Sequence, residues 1–197
     1  MYQTTLTKNV MKLTDFCQRY QHREKYLAYC RECPNYEQRW SCPSLSFEPD
    51  AYLARFDTIE LVGARIDLDA AAIAAADTPK KIKDTSWEIL HTVRTDLANR
   101  LLKMEKLVPG SISLASGGCT WCTACTRPSG QPCRQPERMR YSLDAFGFDL
   151  TAITQEQLGI QLQWCRDRLP DYYTLIHALL TQGPVKESIW QKADLVQ

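Results

Sequence analysis

Nine cysteines, at positions 17, 30, 33, 42, 119, 122, 125, 133 and 165, constrain this 197-residue chain more than any other feature. An odd number cannot be fully paired within one chain. The first eight residues, Met1 to Lys8, have no apolar run behind a basic start, so no signal peptide is expected. No segment approaches the roughly 18 uncharged apolar residues of a membrane helix. The expected compartment is the reducing cytoplasm, where clustered thiols hold metals or do chemistry more often than they form disulfides. The remaining composition is ordinary, with 44% hydrophobic and 24% charged residues, enough to bury a core. A net charge of +1 argues against a nucleic-acid partner, and nothing points to a membrane one. H-E-x-x-H, P-loop, G-x-G-x-x-G and G-x-S-x-G motifs are all missing, so zinc-protease, nucleotide-binding and serine-hydrolase chemistry have no support.

Around the cysteines, hydrophobic periodicity predicts a framework of the α/β or α+β class. It is a small mixed sheet with flanking helices and two cysteine-rich metal-binding loops. Residues 58–68 read as a strand covered on both sides, with Ile59, Leu61 and Gly63 on one face and Val62, Ala64 and Ile66 on the other. Further strands are expected over 111–115, 160–164 and 172–180. Short helices are expected from Thr14, over 22–30, at Pro49 and over 70–76. A long one runs over 86–107 on a stripe of Trp87, Leu90, Val93, Leu97, Leu101 and Met104, with Pro79 interrupting the chain before it. One domain over 1–197 is expected: a cysteine-rich segment over 1–50 packed on a 51–183 core, then a tail or added edge element over 184–197.

Cys119, Cys122, Cys125 and Cys133 form C-x2-C-x2-C-x7-C behind Gly117 and Gly118. Thiolates at successive three-residue steps wrap a compact loop around one object, and a cubane cluster takes such a loop plus one more distant ligand. Zinc, the alternative, is a single tetrahedral centre usually gripped by two separated C-x2-C knuckles, so the middle cysteine fits it poorly. Cys30, Cys33 and Cys42 form C-x2-C-x8-C with no fourth cysteine nearby. Either Cys17 or Cys165 completes this second site if the fold brings it there. Otherwise each is a buried small hydrophobe, and the site keeps an open position for substrate or water.

Cys30-x-x-Cys33-Pro-Asn-Tyr, Trp40-Ser-Cys42-Pro, Cys119-x-x-Cys122-x-x-Cys125 and Gly130-x-Pro-Cys133-Arg-x-Pro136 together resemble a family of predicted metal-binding proteins, domain of unknown function 2284. The likeness extends from about Phe16 to Leu180 and includes Ser142-Leu-Asp144-Ala-Phe-Gly147-Phe-Asp149. Ser44 departs from the family, which often has a second proline there, and Cys17 matches no family position. The resemblance implies metal binding, with iron–sulfur as the cofactor, and no particular reaction.

The functional expectation is a protein carrying iron–sulfur clusters, one a [4Fe-4S] centre on Cys119, Cys122, Cys125 and Cys133 and a second on Cys30, Cys33 and Cys42. It serves redox or electron transfer in an anaerobic system, with a redox protein or a small anionic substrate as partner. One alternative is an enzyme of lyase or desulfurase type whose three-cysteine cluster is a Lewis acid; another is a structural zinc module. Arg127, Arg134, Arg138 and Arg140 either tune an anionic cluster or form a solvated basic loop. Trp40 and Trp121 either keep water from the clusters or simply pack. His177, flanked by Ile176 and Ala178, reads as a core histidine with its hydrogen bonds satisfied.

Overall fold

A computed structural model describes residues 2–195. Four strands, β1 (Tyr2–Lys12), β2 (Thr58–Leu68), β3 (Ile112–Leu114) and β4 (Tyr172–Thr181), form one antiparallel sheet in the order β1-β2-β4-β3. The class is therefore α+β, and the long pairings are antiparallel rather than mixed. The two central strands read as expected, since both faces of β2 and β4 are covered. Ile59, Leu61, Ile176 and Leu180 pack into one core with Phe16, Tyr20, Phe146 and Phe148. Val62, Ala64, Ile66, Leu175 and Leu179 pack into a second core on the opposite face. Period-two alternation sends neighbouring side chains to opposite faces, so a strand apolar at both parities must be buried twice.

The second core lies under a long helix, α5 (Pro79–Leu107). The helices before it are α1 (Leu13–Tyr20), α2 (Arg23–Glu32), α3 (Pro49–Leu53) and α4 (Ala70–Ala75). α5 spans Pro79–Leu107 and starts earlier than the periodicity suggested. Pro79 opens it rather than breaking it, because a first-turn proline gives up no helical hydrogen bond, and Thr78 caps it by accepting from the Lys81 amide. Val93, Leu97, Leu101 and Met104 are buried as expected, but Trp87 is 64% exposed and stacks on His91.

Two further differences have local causes. β1 was not anticipated because its threonines and lysines are polar, as suits an edge strand with one pairing partner. Residues 160–164 form no strand. Gly159 closes α6 (Leu150–Leu158) at φ 66°, and side-chain bonds hold the segment after it: Tyr172 Oη donates to the Gln161 carbonyl and Gln163 Oε1 accepts from the Asp171 amide. Beyond Pro184, α7 (Glu187–Lys192) buries Trp190, whose indole N–H donates to the buried Glu60. Among the described residues no helix is long and apolar enough to cross a membrane.

Candidate metal centre

The cysteine groups lie mostly on two irregular segments that leave the sheet framework, with Cys30 still in the last turn of α2. The first follows α2, where Pro34 and Pro43 forbid regular structure, and the second follows β3, where Gly117 takes φ 66°. The two segments are fastened to each other. Ser41 Oγ accepts from the Cys119 amide at 2.8 Å, Arg39 Nη1 donates to the Cys119 carbonyl at 2.6 Å, and the Trp40 indole donates to Thr126 Oγ1 at 3.3 Å. Arg127 reaches back and donates to the carbonyls of Arg39, Cys42 and Ser44. Gly118 permits this approach, because a Cβ there would stand 2.9 Å from Arg39 Cδ.

Cys119, Cys122, Cys125 and Cys133 all line one small cavity, whose wall also includes Arg39 and Trp40 from the other segment and Met139. Burial pushes the Cys119 thiol up, and Cys133, Cys122 and Cys125 push it the same way as like charges. Thiols gathered in this way are costly to ionise together unless a cation lies among them. The backbone amide of Trp121 offsets part of this, and the Gln135 amide donates to Cys133 Sγ at 3.4 Å.

Cys30, Cys33 and Cys42 are likewise brought together. Burial raises the Cys30 thiol to about 11, with Asp144, Cys33 and Cys42 adding to the rise. Cys42 is 7% exposed and is raised by burial, with Asp144 and Cys33 adding to that, while Ser41 and Arg39 oppose it. Asp144, on the turn Leu143–Phe146, is the residue that sequence reasoning gave no role. Its backbone oxygen lies 4.0 Å from Cys30 Sγ, and burial lifts its carboxyl to about 6 against the pull of Arg94. The only sequence signal was its place in the family-like stretch ending at Asp149. Gly147 closes that turn at φ 77°, and a Cβ there would meet Arg23 Cα at 2.5 Å. The turn and α2 are thus pressed together, which sets Asp144 beside Cys30.

Neither single cysteine has these thiols as neighbours among the described contacts. Cys17 packs against the first core, raised to about 11 by burial and then by Asp50. Cys165 lies by Ser86 and Tyr173 and donates to the Arg168 carbonyl. Of the four arginines, Arg127 is the clamp just described, Arg138 stacks on Trp121 at 3.8 Å, and Arg140 pairs with Glu105. Only Arg134 lines the four-thiol cavity. His177 is buried, but neither ring nitrogen has a hydrogen-bond partner among the described residues, so it is not the satisfied core histidine expected.

The fold and these segments define an α+β protein with paired cysteine loops. The chain belongs to the family described as predicted metal-binding protein (DUF2284), which matches residues 17–180 and so takes in all nine cysteines. No curated protein and no solved structure matches it. Among the described residues no group of three or more His, Cys, Asp or Glu is disposed to hold a single metal ion. The donor set nonetheless suits a larger soft centre: four thiols face one walled cavity, and thiolate is the ligand that iron–sulfur clusters take.

Proposed function

We propose that this chain is an iron–sulfur protein serving electron transfer, with a [4Fe-4S] cluster on Cys119, Cys122, Cys125 and Cys133 and a second cluster on Cys30, Cys33 and Cys42. The observation that carries this reading is the single cavity lined by the four thiols of the C-x2-C-x2-C-x7-C run. When bound, such clusters supply one-electron redox chemistry at potentials set by charge, hydrogen bonds to sulfur and solvent exposure. The chain's own part is to ligate, to dry and to tune. Trp40 and Met139 wall the cavity against water, Arg39 and Arg134 place positive charge beside it, and the Gln135 amide donates to Cys133. Arg39 also lowers the cost of a thiolate at Cys42, so one guanidinium serves both groups. Anaerobic titration with a one-electron reductant tests the reading. Bleaching of a band near ~400 nm with uptake of one electron per cluster supports it; a preparation that takes up no electrons contradicts it.

A second reading has its own support: Cys17 and Cys165 have other surroundings, and a carboxylate, Asp144, stands beside the three-cysteine group. Three thiolates and a weakly held oxygen would leave one exchangeable position, the requirement for a Lewis-acid centre. A hydroxy acid that changes the magnetic signature of one cluster and leaves the other untouched would favour this reading over simple electron transfer.

A further inference from the structure

On the α5 side of the cysteine segment, behind Cys119, lies a second cavity that no cluster ligation explains. It is about 30 Å³ and is bounded by α5, the end of β3, β4 and the Cys119 segment. Three polar side chains on its wall have buried atoms without a hydrogen-bond partner among the described residues: Arg94 Nε, Thr95 Oγ1, and both ring nitrogens of His177. More than nine in ten buried polar groups are normally paired, and each orphan costs about 1–3 kcal/mol. Four orphan atoms on three side chains from two elements, all lining one space, therefore point to something that occupies it.

The chemistry of the wall narrows the occupant. Arg94 makes no ion pair among the described residues, whereas its neighbour Arg140 is committed to Glu105 and Arg138 to Trp121 and Asn99. Burial, opposed by the field of Asp144, disfavours the charged form of Arg94. Water could satisfy the hydroxyl and the imidazole, but Asp144, whose field reaches Arg94, makes no ion pair with it among the described residues, so the guanidinium still lacks a direct anionic acceptor. Burial and then Arg94 lower the His177 pKa to about 3, so at neutral pH the ring offers one N–H donor and one acceptor nitrogen. A guanidinium N–H, a hydroxyl and one imidazole N–H together make a donor set for two oxygens on one small carbon or non-metal centre. The apolar remainder, Ala98 and Leu101, limits the ligand to a few heavy atoms.

We infer that the cavity between α5 and the Cys119 segment is a binding site for a small monoanionic oxyanion of carboxylate type, held by Arg94, Thr95 and His177. Cys119 lines this cavity and the four-thiol cavity alike, so the site shares a wall with the metal centre. The inference does not depend on which metal those cysteines hold.

The test uses the metal-loaded protein as purified, titrated with formate by calorimetry, with His177 ring nuclear magnetic resonance as a second readout. Formate is expected to bind saturably and shift the His177 resonances, with formamide, its neutral counterpart, at least tenfold weaker and chloride giving no saturable response. Thr95→Val, which keeps the side-chain shape, is expected to weaken formate at least fivefold, and Arg94→Gln to abolish saturation. Lys106→Gln, an exposed change on the same helix, is expected to leave binding as it was. No saturable binding of formate or acetate to the wild-type protein would overturn the site. So would equal binding of formate and formamide, or formate affinity unchanged in Thr95→Val. The wild-type titration decides even if a variant fails to fold.

Discussion

The two cysteine groups are built on the same plan and differ in completeness. Each sits largely on an irregular segment, each has thiols raised by burial and by one another, and both lean on Arg39. In the group after β3, four thiols share one cavity. In the group that begins in α2 there are three, and the charge of Asp144 adds to the rise of Cys30 and Cys42. A closed thiolate set suits a centre that only passes electrons, whereas a mixed set leaves one weaker bond for a ligand to replace. The comparison teaches that one chain can fasten a four-thiol group and a three-thiol group to each other through Ser41, Arg39 and Arg127.

The largest expected effect comes from breaking the complete group. Cys122→Ala should remove about half of the iron and leave the other centre's spectrum in place, measured by iron analysis on an anaerobic preparation. Retention of all the iron would show that Cys122 is not a ligand. Gly147→Ala attacks the incomplete side instead. Its Cβ would meet Arg23 backbone at 2.5 Å and its φ of 77° disfavours any side chain, so a loss of about 3 kcal/mol in denaturant unfolding is expected. Gly63→Ala is the matched control, since its Cβ meets only the flexible end of Leu158 and should cost about 1 kcal/mol.

How much of this was legible beforehand differs between framework and loops. Residues 58–68 and 172–180 announce themselves because burial on both faces forces apolar side chains at both parities. β1 does not, because an edge strand with half its surface in water needs no such pattern. The cysteine spacings separate a group of four from a group of three, and the four line one cavity. Spacing could not show that Arg127 and Arg140 are spent on carbonyls and on Glu105, since charge runs carry no record of their partners. Nor could it single out Asp144 or the unpaired His177. Their surroundings arise from contacts between elements far apart in sequence, Cys30 with Asp144 in one case and α5 with β4 in the other.

A smaller effect separates the buried imidazole from the cysteine groups. The pKa of His177 is lowered from 6.5 to about 3, so the unfolded chain takes up a proton that the folded one refuses. Its contribution is complete above pH 6.5 and is lost as pH falls toward 3, about 1.4 kcal/mol per pH unit. Between pH 6.5 and 5 the wild type should therefore lose about 2 kcal/mol that His177→Phe does not, read as the difference between paired unfolding curves. Parallel curves would place the ring in solvent. The smallest effect bears directly on the comparison. Asp144→Ala should speed iron loss to a chelator several-fold from one centre and leave the other's rate unchanged, because only one group has Asp144 among its neighbours. Equal acceleration at both would mean that the carboxylate acts on the loops as a whole.

The central claim, a soft metal cluster on four thiols with a second on three, is tested most directly by the iron, zinc and acid-labile sulfide content of protein purified without oxygen. The account predicts brown protein with about eight iron and eight sulfide per chain and no stoichiometric zinc. Colourless protein holding zinc and no sulfide would contradict it.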